Sequence, residues 1–209
     1  KDCDSWNATS WSSETDMPSP GRDGNAVSTI STTMYSCGGD TGTNRLNDND
    51  SWDESSWSSE TNCLTGVRSA CSGTLNSVIY VMAGDTGSGS SKNCDGWDGT
   101  NWTDETAMPL PNRAHVTCLD FNGYVYVMGG TGPIADNDSW DESSWSSETD
   151  IPSPARFQIA GTVIDGVGYL FAGRATNRLL DNDAWDGTSW TSHTDLPSPE
   201  RANGASSTI

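Results

Sequence analysis

All ten tryptophans of the chain fall into five pairs, and four residues separate the two members of each pair. The pairs are Trp6/Trp11, Trp52/Trp57, Trp97/Trp102, Trp140/Trp145 and Trp185/Trp190. From one pair to the next, the first tryptophan recurs at intervals of 46, 45, 43 and 45 residues. A fixed period of this length is typical of repeat proteins, in which each unit buries its apolar face against its neighbours.

Other residues follow the same period. An arginine stands eleven residues after each second tryptophan, at Arg22, Arg68, Arg113, Arg156 and Arg201. A pair of small residues follows in each of the four units that begin near residues 22, 68, 113 and 156, and a tyrosine stands three residues before each small pair. These tyrosines are Tyr35, Tyr80, Tyr126 and Tyr169. The whole chain, 1–209, is therefore predicted to form one repeat domain.

Each unit is predicted to contain four short strands. In the third unit, residues 113–121 form the first strand, Asn122-Gly123 is a hairpin turn, and Tyr124–Met128 is the second strand. The two tryptophans mark the third and fourth strands, with a tight turn between them. Proline-rich crossovers such as DMPSP then lead to the next unit, and nothing in the unit has a helical period. Four antiparallel strands at this period predict the blades of an all-β propeller.

The order arginine, apolar strand, Asn-Gly, YVYVMGG, polar loop, tryptophans and M-P-x-P resembles the kelch repeat. The resemblance covers essentially the whole chain and implies a kelch-type β-propeller. The chain opens with the third and fourth strands of a unit, residues 3–15, and closes with one first strand, residues 201–209. About five repeats are thus present. We expect either a five-bladed ring with an incomplete blade or, preferably, a window on a longer array.

The charge of the chain excludes some partners. Ten Lys and Arg face 29 Asp and Glu, for a net charge of −19. Nucleic acid and anionic membrane surfaces require cationic proteins, so we exclude both. No apolar run approaches the ~18 residues that a membrane span needs, so membrane insertion is not expected. Six cysteines, four N-x-S/T sequons and scarce lysine favour an extracellular location, either secreted or at the cell surface.

The repeated residues each have a structural and a binding interpretation. The tryptophans could stack on sugars, but recurrence in every unit favours packing between blades, above all for Trp11, Trp57, Trp102, Trp145 and Trp190. The arginines could ring a channel and bind anions. Recurrence again favours a structural role, in which each arginine bonds local carbonyls and a carboxylate.

Three acidic loops supply candidate calcium ligands, because calcium takes oxygen ligands. The candidates are Asp48, Asp50, Asp136, Asp138, Asp181 and Asp183. Asp and Asn are also ordinary turn formers, so the expectation is no resident cofactor, with calcium as the alternative. The glycosylation candidates are Asn7, Asn49, Asn101 and Asn137, and we expect glycans above all at Asn49 and Asn137.

All six cysteines are disulfide candidates, and we expect at least two disulfides on the crossover face, where the crossovers between units lie. Cys3, Cys37, Cys63, Cys71 and Cys94 map near that face, whereas Cys118 lies further into a first strand. Six cysteines allow 15 connectivities, so no pairing is predicted.

No catalytic constellation emerges from the sequence. The two histidines, His115 and His193, lie in different units, and no G-x-S-x-G elbow occurs. The sequence therefore predicts a non-catalytic, secreted propeller that serves as a structural or interaction module of a larger assembly, such as a surface coat, filament or adhesin. Its expected partners are proteins, such as copies of itself or neighbouring repeats. The alternatives are a glycan-binding lectin module and a fragment of an extracellular enzyme with catalytic residues elsewhere.

Overall fold

The computed structural model describes residues 3–204. Within this range, eighteen strands form one two-stranded sheet and four four-stranded sheets, all antiparallel, and there is no helix. No segment of this range could therefore cross a membrane as a helix. The predicted all-β architecture of four-stranded units is confirmed.

Each sheet is one blade, and its strands follow chain order from the centre of the molecule outwards. A half-blade contains β1 (Asp4–Trp6) and β2 (Trp11–Ser13). Blade I contains β3 (Ala26–Ile30), β4 (Thr33–Cys37), β5 (Asn49–Trp52) and β6 (Trp57–Ser59). Blade II contains β7 (Cys71–Leu75), β8 (Val78–Met82), β9 (Cys94–Trp97) and β10 (Trp102–Asp104). Blade III contains β11 (Thr117–Phe121), β12 (Tyr124–Met128), β13 (Asn137–Trp140) and β14 (Trp145–Ser147). Blade IV contains β15 (Ala160–Ile164), β16 (Val167–Phe171), β17 (Asn182–Trp185) and β18 (Trp190–Ser192).

The turn between the third and fourth strands is built by an aspartate that follows the first tryptophan. In blade III, Oδ1 of Asp141 accepts hydrogen bonds from the backbone N–H groups of Ser143 and Ser144, at 2.9 and 2.7 Å. A further bond from the Ser143 hydroxyl helps to lower the pKa of Asp141 to about 2. The aspartate thereby replaces the backbone partners that a turn lacks, as in an Asx-turn.

The first strands lie innermost, where β3 contacts β7, β7 contacts β11, and β11 contacts β15. One residue just before the first strand of each of blades I to IV has a positive φ, as does Asn203 after blade IV, and consecutive members are joined by N–H···O=C bonds of 2.7 to 3.1 Å. These residues, which form the channel-mouth chain, are Gly24, Ser69, His115, Gln158 and Asn203. Five units therefore follow one another around a central channel.

The hydrophobic core lies between blades. Between blades II and III, for example, Tyr80 and Met82 pack with Val125, Val127 and Trp140 in one buried cluster. Similar clusters join blades I and II and blades III and IV. Each blade is therefore stabilised by its neighbours, as the repeat period predicts.

The strand predictions hold with one shift of a boundary and one shift of register. β12 spans the predicted residues, but β11 begins at Thr117 because Arg113 forms only an isolated bridge with Ser91. The predicted final strand, 201–209, lies outside the described residues from 205 onwards. In the second unit the channel-mouth residue is Ser69, so Val67 takes the place of the repeated arginine and Arg68 is displaced by one position. The prediction that Arg68 belongs to the repeated set of arginines is therefore wrong.

Candidate functional site

Three of the repeated arginines form buried ion pairs with the aspartate of the third strand in their own blade. Arg22 contacts Asp50 at 2.6 Å and Arg156 contacts Asp183 at 2.5 Å. The third pair joins Arg113 to Asp138. All three arginine side chains are fully buried. Arg113 also donates to backbone carbonyls, which the structural interpretation of the repeat anticipates.

The remaining two members of the predicted set differ. Arg201 donates to the carbonyls of Pro197 and Pro199 and makes no ion pair within residues 3–204. Arg68 instead contacts Asp40 and Asp85 at 2.9 and 3.3 Å on the crossover face. These two arginines therefore do not belong to a ring that could close around an anion.

The second blade lacks the buried ion pair because Val67 replaces its arginine. The corresponding aspartate, Asp95, is 7% exposed and lies opposite Asp104 in the β9–β10 register, where the other blades have serine. Burial, followed by repulsion from Asp104 and Glu105, raises the pKa of Asp95 to about 6.

The calcium candidates are used as arginine partners or lie beside those pairs. Both oxygens of Asp138 are occupied, one by Arg113 and the other by the Ser147 hydroxyl at 3.1 Å. In the same way, Asp50 accepts hydrogen bonds from Arg22 and Ser59. Asp183 accepts them from Arg156 and Ser192. Asp181 lies 3.7 Å from Arg156. Residues 3–204 contain no group of three His, Cys, Asp or Glu side chains arranged to hold a metal ion.

In blades II, III and IV the first tryptophan packs against the tyrosine of the preceding blade. The tyrosine–tryptophan ring centroids lie 5.9 to 6.2 Å apart in edge-to-face geometry. The pairs are Tyr35–Trp97, Tyr80–Trp140 and Tyr126–Trp185. These tryptophans are at most 1% exposed. The first tryptophan is thus buried more deeply than the second, on which the sequence analysis placed the emphasis.

The second tryptophan fastens one blade to the next through its indole N–H. The N–H donates to a threonine carbonyl just after the fourth strand of the preceding blade, at 2.7 to 3.0 Å. The pairs are Trp57–Thr15, Trp102–Thr61, Trp145–Thr106 and Trp190–Thr149. The predicted packing role between blades therefore holds for these four residues.

Trp11 departs from that role, since its indole N–H does not bond a threonine carbonyl of another blade within residues 3–204. It is 70% exposed, and its partner Trp6 is 52% exposed with the two rings 5.4 Å apart. At the other end, the Thr194 carbonyl accepts a bond from Asn182 but none from a tryptophan within residues 3–204. Tyr169 likewise has no tryptophan against it and contacts His193 instead.

The two end faces keep the apolar surface that internal interfaces bury. Ile164 on blade IV is 46% exposed, whereas its equivalent on blade III, Phe121, is 7% exposed. We call the outer side of blade IV, with Ile164, Tyr169 and Phe171, the C-terminal face. The exposed Trp6 and Trp11 form the N-terminal face. In the contact between neighbouring blades, tryptophans of one blade pack on a tyrosine of the other. The N-terminal face exposes the tryptophans of this contact, and the C-terminal face exposes the side with the tyrosine.

The cysteines form one disulfide, between Cys71 and Cys118. It joins β7 to β11, the innermost strands of blades II and III, and so restrains their separation. The other candidates, Cys3, Cys37, Cys63 and Cys94, are free thiols. The expected second disulfide is therefore missing among residues 3–204. The disulfide that forms includes Cys118, the one cysteine that the sequence analysis places away from the crossover face.

The sequons divide into two buried and two exposed sites. Asn49 and Asn137 are each 1% exposed, and their side-chain amides donate to the carbonyls of Thr61 and Thr149. The folded blade has no space for a glycan there, so the preference for these two positions is wrong on structural grounds. Asn7 and Asn101 lie exposed in hairpin turns.

The crossover face carries a network of alternating charges between blades I and II. Arg45 bridges Asp40 and Asp85, and Arg68 bridges the same two carboxylates. Beside this network His115 lies at the channel mouth, where burial and the Arg68 charge lower its pKa. His193 lies after β18 on blade IV, exposed and against Tyr169. The two histidines thus belong to different surfaces, as their positions in the sequence predicted.

These features define an open, propeller-like protein with four complete blades and a half-blade. No protein-family profile and no curated protein sequence match the chain. Among solved structures, that of YjhT is similar, with a TM-score of 0.84. The similarity covers 96% of this chain and 79% of that one at 14% sequence identity. At this identity the similarity shows the propeller-like fold alone, and the kelch assignment stays a prediction.

Sequence reasoning missed the residues of the two end faces. Tyr169, Ile164 and the Thr194 carbonyl follow the repeat and so look like internal residues. A signal was nevertheless present, since the chain has five tryptophan pairs but only four repeat tyrosines. Because each tyrosine packs on the tryptophan of the next blade, three such contacts form within residues 3–204, and Trp6, Trp52 and Tyr169 are outside them.

Proposed function

We propose that the chain is a non-catalytic kelch-type propeller that acts outside the cell as a structural or interaction module. It would contribute to a larger assembly, such as a surface coat, a filament or an adhesin. Its partners would be proteins, including copies of itself or neighbouring repeats.

The observation that carries this proposal is the exposed apolar surface of the half-blade and of blade IV among the described residues. Inside the molecule, Trp140 and Tyr80 cover each other, and Trp145 bonds the preceding blade. At the ends, Trp6 and Trp11 are exposed by 52% and 70%, and Ile164 by 46%. Exposed apolar surface of this kind marks interaction sites in native proteins.

The use of the repeated polar groups supports binding over catalysis. Arginine and aspartate are the groups that could do chemistry in each unit, and in three blades they neutralise each other in buried pairs. The lowered pKa of His115 keeps its ring neutral at pH 7, and its ring contact is Phe157. A general base of this kind would need an orienting partner and a nucleophile beside it.

An extracellular location is supported by two features of the fold. The Cys71–Cys118 disulfide is compatible with an oxidising compartment. Asn7 and Asn101, both within sequons, are exposed in hairpin turns and accessible to modification. The strong negative charge would keep such a surface protein dispersed until it meets its assembly.

Sedimentation with insoluble extracellular material from the source tests the proposal. We expect the purified chain to sediment with this material, and the double variant Trp6→Ala/Trp11→Ala to remain in the supernatant. Leu110→Ala removes an equally exposed apolar side chain from a crossover and serves as the matched control. Absence of wild-type sedimentation, or equal sedimentation of all three proteins, would contradict the proposal.

A lectin is the second candidate, and the exposed Trp6/Trp11 pair is the observation that favours it. Two tilted rings 5.4 Å apart offer an apolar platform of the kind that stacks on sugars. Free oligosaccharides added to the same sedimentation assay separate the two functions. Release by a sugar would favour the lectin, and sedimentation unaffected by sugars favours protein contacts.

A further inference from the structure

Two cysteines of blade I occupy adjoining positions in its core. Cys37 ends β4 and pairs with Asn49 of β5. Cys63 lies in the crossover that follows the blade, and its N–H donates to the Asn47 carbonyl at 2.8 Å. The two cysteines are 1% and 4% exposed and belong to one buried cluster. The fold therefore brings the end of a second strand and a crossover together at a pair of thiols.

Other blades use the same two positions for apolar packing. In blade II the equivalent backbone contacts bring Met82 and Met108 into one buried cluster. In blade III they do the same for Met128 and Ile151. Side chains at these two positions thus meet within a blade, and blade I is the one among blades I to IV that has cysteine at both of them.

The two thiols of blade I are in direct contact. A hydrogen bond joins the thiols of Cys37 and Cys63, and this bond, followed by burial, raises the pKa of Cys37 well above its usual value. Sγ of Cys37 also lies 3.2 Å from Oδ1 of Asn49, and Sγ of Cys63 lies 3.7 Å from the Asp48 carbonyl oxygen. Both sulfur atoms therefore lie against two consecutive residues of the same chain segment.

We propose that Cys37 and Cys63 are a dithiol that oxidises to a disulfide, which ties the crossover after blade I to the second strand of that blade. The structure contains this pair in its reduced form. The oxidant is a disulfide, either of low molecular mass, as in oxidised glutathione, or of a thiol–disulfide oxidoreductase.

The reaction is a double thiol–disulfide exchange. One cysteine attacks the donor disulfide as a thiolate, which forms a mixed disulfide and releases the first donor thiol. The second cysteine then attacks the protein sulfur of the mixed disulfide and releases the second donor thiol. Two protein thiols are thereby oxidised to one disulfide, one donor disulfide is reduced to two thiols, and the two protons pass to the donor thiols.

Burial determines when the bond forms. The thiolate is the reacting species, and a buried thiol with a raised pKa stays protonated, so the folded blade should react slowly. Before the crossover covers Cys37, both thiols are accessible. We therefore expect the bond to form while the chain folds in the presence of a disulfide donor, and the folded blade to shelter it afterwards. This inference concerns blade I alone and does not depend on the proposed function.

Refolding of the full chain tests the pairing. The reduced, unfolded protein is refolded in a mixture of oxidised and reduced glutathione, its remaining thiols are alkylated in denaturant, and it is digested with trypsin without reduction. Cleavage after lysine and arginine places each of the six cysteines in a separate peptide, with Cys37 in 23–45 and Cys63 in 46–68. We expect most of the refolded protein to yield these two peptides joined, with a mass equal to their sum less two hydrogen atoms.

The other cysteines provide controls in the same digest. The peptides of Cys71 and Cys118 should also be joined, which shows that the conditions are oxidising enough. Cys94 is as deeply buried as Cys37, at 1%, but its partner in the β8–β9 register is Met82. The peptide of Cys94 should therefore carry the alkyl group.

Two results in the digest would overturn the proposal. One is alkylation of both Cys37 and Cys63 in protein that has formed the Cys71–Cys118 bond. The other is a bond from peptide 23–45 to any peptide except 46–68.

Thermal melting measures what the bond does. Cys63→Ser keeps a small polar side chain at the position but cannot form the bond. We expect a reductant to lower the melting temperature of the refolded wild type by about 5–10 °C more than that of Cys63→Ser, because the wild type loses one cross-link in addition. Equal shifts in the two proteins would contradict a bond that holds the crossover to the blade. The peptide digest uses the wild type alone, so it decides the pairing even if the variant folds poorly.

Discussion

The Trp145 indole N–H donates to the Thr106 carbonyl at 2.7 Å, across the boundary between blades III and II. The ring of the same tryptophan packs on Trp140 at 5.2 Å. One side chain therefore joins two neighbouring blades and covers the buried tryptophan of its own blade. Because the contact recurs at four boundaries, it accounts for much of the cohesion of the repeat.

Replacing Trp145 by alanine should destabilise the protein by about 3 kcal/mol, since it removes a large packed ring and a hydrogen bond. For a chain of this size, the melting temperature should fall by about 6–12 °C. Trp11→Ala is the matched control, because Trp11 has the same place in its unit but is 70% exposed. Equal melting temperatures for the two variants in calorimetry would contradict this role.

Asp95, which faces Asp104 and has no arginine partner among residues 3–204, makes stability depend on pH. Its pKa of about 6 in the folded state exceeds the value of about 3.9 for an unfolded aspartate. The protonated form is therefore favoured by folding, and its contribution is full below about pH 3.9 and lost as the pH rises through 6. We expect Asp95→Asn to stabilise the protein at pH 7 by about 1–3 kcal/mol and to have little effect at pH 4.

The control for this experiment is Asp138→Asn, which leaves Arg113 buried without its partner and should destabilise by about 3–5 kcal/mol at pH 7. Urea unfolding at pH 4, 5.5 and 7 measures both variants. Stabilisation by Asp95→Asn that does not change with pH would refute the titration of this carboxylate.

The disulfide should be a major source of stability. Cys71 and Cys118 are 47 positions apart in the sequence, so on the chain-entropy account their bond contributes about 4 kcal/mol. We expect the Cys71→Ser/Cys118→Ser double variant to lose about that much in urea unfolding. Cys3→Ser, at a free and partly exposed thiol, should leave the midpoint unchanged. A double variant as stable as the wild type would contradict the pairing.

Glycans should occupy Asn7 and Asn101 but not Asn49 and Asn137 in the folded, secreted product. The exposed hairpins leave room for a sugar, whereas the buried amides are bonded to Thr61 and Thr149. Peptide mapping of protein secreted from a glycosylating host, with Asn→Gln variants at each position, measures occupancy. Glycans at Asn49 or Asn137 in correctly folded protein would oppose this assignment.

The repeat unit was predictable from sequence because its signals are local. Strand type in Tyr124–Met128, the Asn122-Gly123 turn and the tryptophan spacing each reflect short-range preferences, and all survive in the structure. The displacement of Arg68 was not predictable, because its fixed spacing from Trp57 conceals that this unit has one residue fewer between Trp57 and the channel mouth. Only the bonding of Ser69 to Gly24 reveals that Val67 takes the arginine position.

Burial is the other property that the spacing of residues in the sequence does not predict. Asn49 and Asn137 satisfy a sequon as well as Asn7 does, but their strands lie between two others within a blade. The Cys71–Cys118 pairing depends on which first strands adjoin around the channel, which is a property of the ring. Residues that obey the repeat, such as Trp11 and Tyr169, acquire a different role only because the ring is open at their positions.

The most direct test of this account is hydroxyl-radical footprinting of the tryptophans, read residue by residue by mass spectrometry. An open molecule with interaction surfaces at its ends predicts strong oxidation of Trp6 and Trp11 and protection of Trp97, Trp140 and Trp185. Extracellular material from the source should then protect Trp6 and Trp11 while leaving the internal tryptophans unchanged. Protection of Trp6 and Trp11 equal to that of Trp140 in the isolated chain would contradict the open ends on which the proposed function depends.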